Sequence, residues 1–448
     1  MQKISTSDSL AQIQLAVRQG DWSLVLYCLQ HEAPSEETDR LSAESTPDPG
    51  ALDRDALMQY VLELALETLE SGDFQDRWDV AKVIPQLGER AIAPLLSLVQ
   101  DDTADPDARW FAARVVAEFR DPTVLAALIK LLKTADQSDL QDIAISALAE
   151  FGTEAIAPLA TLLDAPETRL LAAQALSKIR HSGTVSLLLS IVQDTQDSVR
   201  ELAIEALSSF HDPNIPPVLA TALRDPSAAV RRAAVAGLGF RSDLLDELDL
   251  VNVIQPLLLD IHPDVCQQAA IALSRLGTDA AASALFQMLR SPHTPTALRL
   301  DLVRSLGWIE TPTAWNYLQQ YLEGGANLDD PLIVQEAVTI LGRVEAPPLK
   351  EKMSRVLLNL LQTEHPTIHH STVRQAIALS LGQLENPAAL DPLIQLLADD
   401  DWSVKLHAIV ALKKLDAEAA RFRLESLSHD QTLSPELSKG VAIALQEW

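Results

Sequence analysis

A sentence that recurs about every 32 residues constrains this chain more than any other feature of it. The segment DTQDSVRELAIEALSSF (194–210) is followed 31 residues later by DPSAAVRRAAVAGLGF (225–240). Val199-Arg200, Ala203 and Leu207 stand where Val230-Arg231, Ala234 and Leu238 stand. Taking the residue before the Arg as an anchor, with Leu, Ile or Val required eight positions on, the pattern starts at Asp76, Ala108, Leu140, Thr168, Val199, Val230, Val265, Leu298, Ile333, Val373, Val404 and Leu437. Eight of the twelve residues at anchor plus four are Ala and ten at plus eight are Leu, a small side chain and then a large one on one helical face. A unit this short cannot bury its apolar face alone, so repeated units must stack and share one core.

Each unit reads as two helices. An apolar segment, often opened by Pro, comes first: AIAPLLSLV (Pro94), AIAPLATLL (Pro158), IPPVLATAL (Pro217), VIQPLLLDI (Pro256) and LDPLIQLLA (Pro392). Pro is tolerated in a first helical turn because that N–H has no intrahelical partner. A turn rich in Asp (101–102, 194–197, 225, 399–401) then offers capping oxygens and favourable charge to the anchored helix. Anchor plus one is basic at Arg77, Arg109, Arg169, Arg200, Arg231, Arg299 and Arg374, with Lys405 an eighth. These are expected to pair with turn aspartates of adjacent layers as a structural ladder of partly exposed, individually modest ion pairs.

The two-helix unit and the hallmark DPSAAVRRAAVAGLG (225–239) resemble HEAT repeats, in particular the short phycobilin-lyase HEAT-like subtype. The resemblance covers about 73–448 and implies an all-α, right-handed α-solenoid of about twelve two-helix repeats. Tetratricopeptide units fit worse, since aromatic residues make only 4% of the chain, and armadillo units carry a third helix. Residues 1–32 are expected to form an N-terminal helical hairpin or cap, 33–55 an acidic, Pro-containing linker, and 56–448 the array. Insertions at 240–252 and around EAPPLKEK and HPTIHHST in the 40-residue interval are expected to be loops.

Composition narrows function. With 35 Lys and Arg against 63 Asp and Glu, the net charge of −28 opposes nucleic-acid binding and docking on anionic membranes. A partner held by charge is expected to be basic. The two cysteines, Cys28 and Cys266, read as reduced thiols. The opening residues MQKISTSDSLAQIQLAVRQG are polar and amphipathic, so no leader is expected, and LMQYVLELALETLE (57–70) is too short and acidic to span a bilayer. A cytoplasmic protein is expected.

No phosphate-cradling Gly loop, nucleophile elbow or Cys-pair metal motif is present. His365, His369 and His370 cluster without the carboxylates or thiolates that would complete a metal set, so no metal and no cofactor is expected. The deoxyhypusine hydroxylases, which are HEAT-like, use several His-Glu pairs, whereas this chain has one, His31-Glu32, outside the array. HEAT-like DNA glycosylases need a basic groove.

The leading functional expectation is a non-catalytic scaffold or adaptor whose concave face holds a protein. The alternative, implied by resemblance, is a bilin lyase or phycobilisome-associated chaperone, the one reading that would involve a bilin. Positions plus two and plus six should face outward, which nominates Trp78 with Lys82 and Trp110 with Arg114 as partner anchors, unless the hairpin folds back over the tryptophans. Trp402, Leu406 and Val410 form a second candidate patch. Trp308 and Trp315 are expected in the core.

Overall fold

The structure, a computed structural model, describes residues 6–31, 54–324, 330–363 and 365–448. Among these there are helices and turns and no β-strand, and the fold is an all-α solenoid. Every anchor is the third residue of an α-helix, from Asp76 in Phe74–Val83 to Leu437 in Pro435–Gln446. The spacing therefore marks helix starts, and burial follows the phase it sets. All twelve residues at plus four have no exposed surface, and at plus eight only Leu445 retains any. None of the residues at plus two or plus six is buried. The two polar anchors, Asp76 and Thr168, are the two that stay out of the core.

The chain divides into two compact units, Met1–Asp212 and Pro213–Trp448. In the first, α1 (Thr6–Gln19) and α2 (Trp22–His31) form a hairpin, and α3 (Arg54–Ser71) and α4 (Phe74–Val83) form the first anchored layer. The hairpin continues the stack: α1 packs on α3 and α2 on α4. Apart from residues 54 and 55, which already belong to α3, the linker expected at 33–55 lies outside the described residues. In each unit, successive anchored helices pack on one another.

Two local expectations are corrected. Pro158 sits inside Thr153–Leu162 and not in its first turn, because Gly152, at φ 62°, starts that helix earlier. Of the insertion EAPPLKEK, the part from Pro347 onward is the first turn of helix Pro347–Leu361 and not a loop, with proline where a missing N–H is harmless.

The Arg residues at plus one tie the turns together in more than one way. Arg169 bonds Asp194 at 2.7 Å, Arg231 grips Asp260 with two 2.7 Å bonds and Arg374 meets Asp399 at 2.6 Å, each in the following turn. Arg77 reaches forward to Asp105 likewise. Each of these carboxylates also accepts the backbone N–H two residues on (Gln196, His262, Asp401 and Asp107). One side chain thus shapes the turn and receives the neighbouring layer. Arg109 instead bonds Asp102 of its own turn and the Val99 carbonyl, while Arg200 and Arg299 bond the carbonyls of Asp194 and Pro292. The carboxylates of Asp105 and Asp102 keep the partial exposure expected of such pairs, but the Asp194, Asp260 and Asp399 side chains are each under a tenth exposed. They lie beneath the turn they fold.

The Leu-Gly ending has its own cause. Gly239, Gly307, Gly342 and Gly382 stand at plus nine and face plus seven of the next anchored helix. A Cβ on Gly382 would lie 2.7 Å from the Ala411 Cα, and one on Gly342 would lie 2.6 Å from the Ser380 Cβ. Here glycine lets two helix backbones touch. Gly382→Ala should therefore destabilise the second unit by about 1–3 kcal/mol through overpacking, although alanine is the better helix former. Denaturant unfolding checks the sign, and a gain in stability would mean the helices slide apart at little cost.

Candidate protein-binding surface

The surface grows from two helix starts. Asp73 caps α4 by accepting the Asp76 N–H at 2.9 Å. Asp105 starts α6 (Pro106–Val116) with Pro at its first position. With α5 (Ile92–Gln100) between them, α4 and α6 lie side by side in equal phase, so Trp78 and Trp110 share the outward stripe. Both are half-buried. α6 packs mainly on α3, α4, α5 and helix Ser138–Phe151, while the hairpin packs mainly on α3 and α4. It forms a preceding layer of the stack.

Phe111, buried beneath, meets Trp110 edge-on at 5.1 Å and Trp78 edge-on at 6.3 Å. Phe74 stacks along Trp78 at 6.1 Å with 67% of its surface exposed. The Arg114 guanidinium lies 4.6 Å from the Trp78 ring centre and 5.6 Å from that of Trp110, one cation serving both indoles. Arg114 makes no hydrogen bond or ion pair among the described residues, so its donors are available. Lys82 lies 5.8 Å from the Trp78 ring and pairs with Asp79 at 2.9 Å. Hydrogen bonds from Gln75 and then Lys82 hold the Asp79 carboxyl below its ordinary range. One turn beyond Arg114, burial and then the nearby Glu150 push Glu118 upward.

Phe74 and Phe111 were not among the expected site residues. Phe74 was legible, because it precedes Trp78 by four positions and such pairs adjoin on a helix. Phe111 has the buried phase of its own helix, and only the approach of α4 makes it the floor of an aromatic cluster.

The second patch has the same phase. Trp402, Leu406 and Val410 lie exposed along one stripe of a helix capped by Asp401. Trp315 is buried, but Trp308 is 80% exposed and not in the core. It stands at plus ten from Leu298, on the stripe of plus two and plus six, and the helix phase directs it outward.

Elsewhere, His365 accepts the Thr367 N–H at 3.3 Å, and no group of three metal-ligating side chains occurs among the described residues. Cys28 and Cys266 are buried. The Cys266 S–H donates to the Asp260 carbonyl at 3.1 Å, and burial pushes its thiol up. No helix among the described residues is long and apolar enough to cross a membrane.

The HEAT-repeat profile matches residues 61–149, 92–168, 156–221, 215–298 and 357–446, well over half of the chain. No curated protein matches it. Among solved structures it is similar to yeast importin-β (TM-score 0.50, 14% identity, 97% of this chain and 64% of that one). Similar chains occur in a structure of importin-β with RanGDP (0.54, 15%, 99% and 66%) and in one with Nup1 (0.53, 14%, 96% and 66%). The chain spans just under two thirds of the length of these importin chains, and at such identity the likeness is one of fold. The match is to HEAT repeats as a class and assigns no phycobilin-lyase subtype. The chain belongs to the HEAT-repeat family.

Proposed function

We propose that the protein is a non-catalytic scaffold that holds a protein partner on the outward stripe of its anchored helices, with Trp78, Trp110 and Arg114 as the principal contacts. The observation that carries this reading is the Arg114 guanidinium held on two indoles beside the exposed ring of Phe74. Rigid aromatics with a pre-positioned cation are the composition of binding hot spots. The HEAT-repeat architecture supports it, because stacked layers present an extended surface to which each layer contributes a few side chains. The importin-β chains of similar fold, solved with Nup1 and with RanGDP, support this reading.

The test is affinity capture from native lysate with the intact chain and with a Trp78→Ala/Trp110→Ala variant, followed by titration of the recovered partner. Each truncation should weaken binding by about 2 kcal/mol, as hot-spot aromatics do. Retained affinity in the double variant would remove the cluster from the proposal. With a net charge of −28 on the scaffold, a basic partner should also associate more slowly as salt rises, because the steering field is screened. Salt-independent association would leave the apolar contacts as the basis of binding.

A further inference from the structure

The last turns of the anchored helices in the second unit continue the outward stripe as a row that the contacts proposed above do not use. At anchor plus ten, six consecutive layers present Phe240, Arg275, Trp308, Arg343, Gln383 and Lys414, all exposed. The first unit has Gln86, Glu118, Glu150, Lys178 and Ser209 at the same positions, so the fold does not require this composition. Cations do suit a helix C-terminus, where the dipole is negative. That accounts for the basic members but not for Phe240 and Trp308, whose rings are 68% and 80% exposed. The Arg275 guanidinium lies 4.1 Å from the Phe240 ring centre. Trp308 and Arg343 line one cleft of about 550 Å³, with the Arg304–Glu336 pair (3.0 Å) on its wall. Among the described residues, Arg275, Arg343 and Lys414 donate no side-chain hydrogen bond.

We infer that this row is a docking edge for an extended acidic peptide, separate from the aromatic cluster of the first unit. Layers about 8–10 Å apart put Phe240 and Trp308, and likewise Arg275 and Arg343, two layers or about 16–20 Å from one another. An extended chain at about 3.3 Å per residue covers that distance in five or six residues. The matching ligand carries a carboxylate at about every sixth position with an apolar side chain between, and spans the row in about 12–15 residues. Unspent guanidinium groups complement carboxylates, and the exposed rings complement the apolar residues. Glu310 and Glu345 also line the cleft. They admit spaced carboxylates and oppose the uniform charge of a nucleic-acid strand.

The experiment titrates the full chain with a fluorescent peptide of about 14 residues carrying Glu at every sixth position and Leu midway between. Two comparison probes are the same peptide with Lys for Glu and an oligothymidine of similar length. The acidic peptide should bind saturably, the Lys peptide should not, and Arg275→Glu with Arg343→Glu should weaken binding at least about tenfold. Trp308→Phe should remove the peptide-induced change in tryptophan emission. An acidic peptide that fails to bind, that binds the doubly reversed variant equally well, or that binds more weakly than the oligothymidine overturns the assignment.

Discussion

Arg231→Met should lower the stability of the second unit by about 3–5 kcal/mol, because it leaves the Asp260 carboxylate buried without its counter-ion. Arg231 makes two 2.7 Å bonds to Asp260 and a third, at 2.8 Å, to the Asp225 carbonyl, so the turn before helix Pro263–Leu276 loses its tie to the preceding layer. The effect should depend on pH. The Arg231 hydrogen bonds, against the opposing effect of burial, hold the Asp260 carboxyl below its ordinary value of 3.8. A depressed carboxylate contributes stability that is full above its unfolded value and is lost as pH falls through its folded one. The gap between wild type and variant should therefore be widest at neutral pH and close in acid below about pH 4. Denaturant unfolding at several pH values checks this, and a gap that does not change with pH would contradict it.

Phe111→Ala should cost a similar amount, about 3–5 kcal/mol, for deletion of a fully buried ring. The loss should be local, because in a stack each layer touches only its neighbours. Hydrogen exchange should quicken in α3 to α6 while residues 213–448 keep their protection. The cavity would also remove the floor beneath Trp78 and Trp110, which meet Phe111 edge-on, so partner affinity should fall although Phe111 touches no partner. Loosening spread equally over both units would argue against layer-by-layer stability.

The periodicity of the sequence by itself determined where the anchored helices begin, which residues are buried at plus four and plus eight, and which stripe faces out. These follow from a rotation of about 100° per residue, a property of one helix that each unit writes for itself. The same rule, applied one turn further to plus ten, would have placed Trp308 outside. The choice among neighbours was not written locally. Arg109 bonds Asp102 of its own turn whereas Arg231 bonds Asp260 of the next, although both occupy the same position in the repeat. The hairpin Thr6–His31 lies outside the twelve-fold repeat and still joins the stack, because α1 packs on α3 and α2 on α4. Whether Arg114 would rest on one indole or two depended on how far α6 is displaced along α4. The packing of whole layers sets that displacement: the caps at Asp73 and Asp105 fix the phase of each helix, but only the shared core fixes the distance between them.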